Sequence, residues 1–193
     1  MHFSDQELIE RIQKGDKQSF VVLFDRYKDK ISDFIYGYTG EYSIAQDLTI
    51  ESFLRAYDHL KTYSEMGKFL PWLYTIARTV TLNELRKKKY HVEESLERPV
   101  SDEMNLMPKD LIEDNTQRPD FNARSKELKD IVYRVIADMK NEHRDVLLLC
   151  DVEGMSYDDA AKVMKCNPAS VGAWLKRARK ELYDKLRSYG YEI

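Results

Sequence analysis

Residues 156–186 read SYDDAAKVMKCNPASVGAWLKRARKELYDKL, and this stretch decides the fold. Ser156 stands where an N-cap belongs: its hydroxyl can accept from the backbone N–H near Asp159. A short helix through Ala160, Ala161, Val163 and Met164 follows, and Lys165-Cys166 make a turn. Asn167 is a second N-cap, with Pro168 at the first helical position, where a missing N–H costs nothing. The longer helix after it sets Val171, Trp174, Leu175, Ala178 and Leu182 on one apolar face. Two helices across a tight turn make a helix-turn-helix. Ala161 is small enough for the close crossing, and Val171 and Trp174 pack back against it. Lys165 falls where the chain needs a left-handed backbone, which Gly reaches at less steric cost. The outer face carries Lys176, Arg177, Arg179, Lys180, Lys185 and Arg187 against Glu181 and Asp184, so six minus two leaves +4 over 172–188. A solvated helix of an ordinary bundle also carries charge. Two capped helices at this spacing with a basic outer face point instead to the major groove of DNA.

The 193-residue chain as a whole has a net charge of −3, unexpected for a protein that binds DNA alone. The charge is uneven. Residues 1–90 hold 14 Lys and Arg against 13 Asp and Glu (+1), residues 91–125 hold 4 against 9 (−5), and residues 126–193 hold 13 against 12 (+1). That divides the chain into a helical module at 1–90, an acidic linker at 91–125 and a helical module at 126–193. In the first module Ser4 and Glu7 form a capping box, Gly15 ends one helix, and Asp16 caps the next. That second helix runs to about Tyr36, with a loop at Gly37 and Gly40. Ser43 with Gln46 opens a third, to about Leu60, on which Asp47, Glu51 and Arg55 form a charged stripe. Such a stripe is either helix-stabilising pairs or a docking face. A polar loop spans 61–68. The next helix sets Phe69, Trp72, Leu73, Ile76, Ala77 and Val80 on a core face and ends in Arg86, Lys87, Lys88 and Lys89, which suit a negative helix end or phosphates. Phe69 and Trp72 read as core; Tyr63 and Tyr74 are better placed for a nucleic acid. The linker, with Pro99, Pro108 and Pro119, reads as mostly extended. From Leu128 the helical period returns through Ile131, Val132, Val135, Ile136 and Met139, followed by a short helix at Val146 to Leu149. No segment alternates as a strand does. The fold class expected is all-α: two small helical modules joined by an acidic linker, the second ending in a helix-turn-helix.

Several functions find no support. No apolar run approaches the ~20 residues of a membrane span, and the start MHFSDQELIE has neither the basic nor the apolar segment of a signal peptide, so a cytoplasmic protein is expected. Cys150 and Cys166 read as isolated thiols, and the four His make no metal spacing with them. There is no P-loop and no G-x-S-x-G, and His143 has no evident nucleophile to serve. The expectation is no enzyme, no metal and no cofactor.

The order of parts resembles an extracytoplasmic-function (ECF) sigma factor of bacterial RNA polymerase. Gly15-Asp16 with Phe20, Leu23, Phe24 and Tyr27 resembles the family's opening. AQDLTIESFLRAY at 45–57 is similar to its A-E-D-L-x-Q-E-x-F-x-R-x-W/Y stretch, and FLPWLYTIART at 69–79 to F-x-x-W-L-x-x-I-A-x-N. The region from Glu142 to Leu182 resembles the family's C-terminal pattern. Four pieces in order at matching spacing make the resemblance specific. This sequence departs from the pattern at Ile50 (usually Gln), Thr79 (Asn), Lys165 (often Gly), and Gly172 with Ala173 (often basic and Ser).

The resemblance implies a protein that binds core RNA polymerase, recognises −35 and −10 promoter elements and starts transcription. It implies polymerase contacts at Asp47, Leu48, Glu51, Phe53 and Arg55. Contacts to the −10 element would come from Tyr63, Ser64, Lys68, Tyr74, Thr79, Arg86, Lys87 and Lys88. Those to the −35 element would come from Ser170, Ala173, Lys176, Arg177, Arg179 and Lys180. The linker would thread a polymerase channel otherwise used by RNA. Partners would be core RNA polymerase and promoter DNA, with an anti-sigma factor as a further candidate, and the free chain would be a monomer with no membrane span. The rival readings are a free-standing helix-turn-helix regulator binding an operator as a dimer, and an adaptor or anti-sigma-like protein. Against the first, the sequence offers no extra dimerisation helix and no ligand module.

Overall fold

Side-chain caps start four of the helices where the sequence puts them. A computed structural model describes residues 3–60, 63, 68–96 and 121–191, with side chains described as far as 88 and again from 128. Helix α1 (Asp5–Gln13) opens on Ser4, whose hydroxyl accepts from the Glu7 N–H while the Glu7 carboxylate accepts from the Ser4 N–H. Helix α2 (Lys17–Thr39) opens on Asp16, which accepts from Gln18 and Ser19. Then come α3 (Tyr42–Leu60), α4 (Phe69–Leu96) and α5 (Phe121–Ala137). Helix α6 (Asn141–Val146) runs into a π-helical turn (Leu147–Val152), and α7 (Tyr157–Met164) and α8 (Pro168–Ser188) complete the chain. Among the described residues there is no strand. The all-α expectation holds.

Three local expectations are corrected. Helix α2 does not stop at Tyr36 but continues through Gly37 to Thr39, with Gly40 left-handed (φ 66°) at its end. Glycine inside a helix costs roughly 0.5–1 kcal/mol relative to alanine. At Gly37 it makes room, because a Cβ there would lie 2.5 Å from Leu148 Cδ2. Helix α3 starts at Tyr42, so Ser43 lies inside it rather than at its cap; the first turn closes on Glu41, whose carbonyl accepts from the Ala45 N–H. The expected linker at 91–125 is helical at both ends, since α4 reaches Leu96 and α5 starts at Phe121. No proline or glycine stands between Tyr90 and Leu96, and Pro119 is the last breaker before Phe121, so neither helix meets a stop sooner. The remainder of that linker, 97–120, lies outside the described residues.

Helices α1 to α4 form one half and α5 to α8 the other. The first is filled by aromatic rings: Phe34 meets Tyr74 edge-on at 4.9 Å, and Phe24 meets Phe53 at 4.8 Å. In the second, Ile136, Leu147, Leu148, Leu149, Val171 and Leu175 are buried. The apolar core is continuous across both. Where they meet, α4 packs on α7 and α2 packs on α5.

The meeting surface is built around a charge. Asp145, wholly buried, accepts two hydrogen bonds at one oxygen from Arg78 Nε (2.9 Å) and Nη2 (2.7 Å), and at the other from the Tyr38 hydroxyl. Burial pushes the Asp145 carboxyl up to about 8, while the two N–H donors of Arg78 favour its charged form. Around this centre Lys129 pairs with Asp33 (2.9 Å), Lys68 with Asp159 (2.8 Å), and Tyr36 lies tilted against Tyr133. Arg144 lies over the Tyr38 ring and donates to the carbonyls of Ile136, Ala137 and Met139.

Removing one partner of a buried ion pair costs about 3–5 kcal/mol, because the other charge is left in an apolar place. Here the chain can escape that cost by parting its halves. Arg78→Ala therefore increases the radius of gyration in small-angle scattering while far-UV circular dichroism stays as in the wild type. An unchanged radius would mean that the apolar contacts alone hold the halves.

Candidate nucleic-acid interface

The helix-turn-helix forms as its sequence dictates. Ser156 accepts from the Asp159 N–H at 3.1 Å, and Asn167 accepts from the Ser170 N–H at 2.8 Å. Lys165 takes the left-handed backbone (φ 55°, ψ 48°) and is the only non-glycine with positive φ among the described residues. The Cys166 N–H reaches back to the Ala161 carbonyl at 3.0 Å and closes the turn. Val171, Leu175 and Ala178 are buried beneath α8. Ala173, Lys176, Arg177 and Lys180 are exposed together on its outer face, and Ser170 is half-buried near the N-terminus. Arg177 and Lys180 also border a shallow groove of about 410 Å³ with Glu181, Asp184, Lys185 and Ser188. A Cβ at Gly172 would meet the Tyr157 ring at 3.4 Å, an ordinary contact, so the packing does not demand a glycine there.

Arg179 differs from its neighbours. It is exposed but occupied, with Nε 2.9 Å from Asp151 Oδ2 and Nη2 2.5 Å from Asp151 Oδ1. The opposite flank of α8 has a comparable contact, His143 Nδ1 at 2.5 Å from Glu181 Oε2.

In the first half the expected residues scatter. Lys68 is exposed, and its bond to Asp159 holds that carboxyl below the usual carboxylate range. Thr79 is exposed, with its hydroxyl donating back to the Thr75 carbonyl at 2.7 Å. Arg86, Lys87 and Lys88 are exposed along the outer side of α4. Tyr63 is half-buried, its ring 4.8 Å from that of Trp72. Ser64 lies outside the described residues. Tyr74 is corrected: it is wholly buried against Phe34. Burial, and next the nearby Glu153, raise its phenol far above the usual value, although the hydroxyl makes no hydrogen bond of good geometry. Three residues after Pro71 it faces inward with Ala77, so it contributes packing and no contact to DNA.

On α3, Asp47 is exposed and Glu51 pairs with Arg55 at 2.6 Å. Leu48 and Phe53 are corrected as contact residues, for both are core: Phe53 is wedged between the rings of Phe20 and Phe24. Ile50, marked in the sequence only as a departure from the family pattern, is 53% exposed, and Leu54, which the sequence did not single out, is 60% exposed. They lie two residues from the core positions Leu48, Ser52 and Ala56, hence about 200° around the helix, and that offset was the available signal. Ile50 and Asp47 border a groove of about 420 Å³ with Phe24 and Lys28 of α2.

No cluster of metal-ligating side chains occurs among the described residues, and no helix there is long and apolar enough to cross a membrane.

Two family models match the chain: Sigma-70 region 2 over residues 23–90 and Sigma-70, region 4 over residues 129–182. It is 31% identical to the RNA polymerase sigma-H factor of Pseudomonas aeruginosa, covering 94% of this chain and 92% of that protein. It is 30% identical to the ECF RNA polymerase sigma-E factor of Salmonella typhimurium, covering 95% of each. Among solved structures it resembles CnrH in complex with the cytosolic domain of CnrY (TM-score 0.69, 18% identity, 95% of this chain and 97% of that one). It also resembles the sigma factor RpoE in complex with the anti-sigma factor NepR from Bartonella quintana (TM-score 0.66, 18% identity, 88% and 98%).

The strained turn makes a prediction for stability. A left-handed L-residue costs roughly 1–2 kcal/mol, and glycine's greater freedom in the unfolded chain takes back part of that. Lys165→Gly should raise stability by up to about 1 kcal/mol in thermal unfolding, and Lys165→Val should lower it.

Proposed function

This chain belongs to the ECF sigma factors, and from that membership we propose how its residues divide the family's work. It binds core RNA polymerase, recognises −35 and −10 promoter elements and starts transcription. Residues 1–90 are the unit that docks on polymerase and engages the −10 element, 91–125 the acidic linker, and 126–193 the unit for the −35 element. It acts in the cytoplasm, as a binding factor rather than a catalyst.

The observation that carries the assignment is the outer face of α8, where Ala173, Lys176, Arg177 and Lys180 stand exposed on a capped, buried-seam helix. Arg177 is long enough to reach a base edge, with Ser170 and Ala173 beside the same groove wall; Lys176 and Lys180 suit phosphates. In the first unit Lys68, Thr79, Arg86, Lys87 and Lys88 supply the contacts to the −10 element. Asp47, Glu51 and Arg55 with Ile50 and Leu54 supply the docking stripe, part charged and part apolar.

The packed halves bear on this mechanism. Elements named −35 and −10 lie about 25 base pairs apart, or roughly 85 Å at ~3.4 Å per step. A compact chain of this length has a radius of gyration of about 16 Å, so it is only about 40 Å across. Halves joined through Asp145 cannot reach both elements, so promoter binding parts them and frees Lys68 from Asp159. The Bartonella quintana neighbour was solved with an anti-sigma factor, and a partner of that kind would act by keeping the joint closed.

Run-off transcription with core polymerase on a promoter library tests the function: specific transcripts appear only when the chain is added. Sequence-specific DNA binding without polymerase, and no transcript with it, would restore the free-standing regulator. For docking, Ile50→Asp with Leu54→Asp weakens core-polymerase binding about 10–100-fold, as loss of an apolar anchor pair does, with helicity unchanged. For the −35 element, Arg177→Ala costs about 1–3 kcal/mol and relaxes choice at one base. Lys180→Ala weakens binding on all sequences and lowers the salt slope by about one.

A further inference from the structure

Helix α8 is held on both flanks by polar contacts to one short segment beneath it. Arg179 and Glu181 are two residues apart, so their side chains leave the helix about 200° apart. Each meets a partner from residues 141–152: Arg179 meets Asp151 through two N–H donors, and Glu181 meets His143. Glu181 also has Lys185 Nζ at 3.9 Å. On the inner side between them, Ala178 is sealed in the core. On the outer side between them stands Lys180, exposed. Ala173, Lys176 and Arg177 leave the helix within about 60° of Lys180.

An apolar seam alone resists rolling of a helix weakly, because Val171, Ala178 and their neighbours present no directional groups. Directional contacts on opposite flanks remove that freedom. The segment that supplies them is itself unusual. In the π-helical turn the Glu153 N–H pairs with the Leu148 carbonyl five residues back, at 3.0 Å. Such a widened turn is rarer than an α turn and is found mostly at functional sites. Here its last turn carries Asp151 to the flank of α8.

We propose that Asp151 and His143 are positioning residues that set the rotation of α8, and so decide which of its side chains face the base edges of the −35 element. Arg179 is then a strut, engaged with Asp151 rather than with a phosphate. The inference rests on the proposed function for its DNA readout and on the geometry alone for the clamp.

The test uses the full chain, with and without core polymerase, as Asp151→Asn, Arg179→Gln, the double variant, and the exchange Asp151→Arg with Arg179→Asp. Holoenzyme binding is measured on a −35 base-substitution series at several salt concentrations. Asp151→Asn should reduce discrimination between cognate and substituted bases about tenfold, the scale of one bidentate base contact, and leave the salt slope as it is. Arg179→Gln should do the same, the double variant should be no worse than either, and the exchange should restore part of the discrimination. If Asp151→Asn instead tightens binding on every sequence and steepens the salt slope by about one, Arg179 is a phosphate ligand that Asp151 restrains, and the clamp is wrong. The second readout needs no DNA. In a Trp72→Phe background, acrylamide quenching of Trp174 on α8 should rise in Asp151→Asn while circular dichroism is unchanged; constant quenching overturns the clamp. If quenching rises but the wild-type holoenzyme shows no −35 preference, the clamp stands and the proposed function is what fails.

Discussion

The carboxylate of Asp145 sits where solvent does not reach, between two groups of helices, and its partners Arg78 and Tyr38 stand 67 and 107 residues away in the sequence. A charge in such a place must be answered, and Arg78 and Tyr38 answer it from the other half. Both must arrive with correct geometry, so the joint fixes one docking pose and excludes neighbouring ones. Gly37 follows from it: the helices can come close enough for Tyr38 to reach Asp145 only if position 37 presents no side chain to Leu148. Lys68 with Asp159 and Lys129 with Asp33 are satellites, more exposed and weaker. A buried pair of this kind contributes little net stability over an apolar substitute, but it penalises every arrangement in which one member is buried alone.

Local chemistry was legible in the sequence, and long-range pairing was not. Ser4, Asp16, Ser156 and Asn167 each cap the helix expected of them, because an N-cap acts over three residues. The left-handed turn at Lys165 was legible for the same reason. Asp145 with Arg78, Asp151 with Arg179 and His143 with Glu181 leave no local mark, since 67, 28 and 38 residues separate their members. Gly37 was read as a loop because glycine usually breaks a helix, and its reason lies on another helix. Leu48 and Phe53 show a different error. A family motif marks residues that matter, and packing is one way to matter; which of them face outward depends on helix phase. The same phase, followed two residues off the core stripe, leads to Ile50 and Leu54.

The two units make different demands on the chain. The second has capped helices, a sealed seam and polar contacts on both flanks of α8, as suits the reading of base edges proposed for it. The first is aromatic and deeply packed, and carries the groups proposed for polymerase and the −10 element along the outer sides of α3 and α4. Between them lies the most acidic stretch of the sequence. The net charge of −3 then ceases to be odd, because a factor working inside a polymerase complex needs basic residues only where it meets DNA.

The mixed composition of the α3 stripe has its own consequence. In the docking proposed above, Ile50 and Leu54 bury area on binding, an attraction that salt does not screen, whereas Asp47, Glu51, Arg55 and the lysines of α8 act through charge. The two associations of this chain therefore respond differently to the ionic content of the cell. With the contacts proposed for α3 and α8, added salt weakens the hold on DNA more steeply than the hold on polymerase.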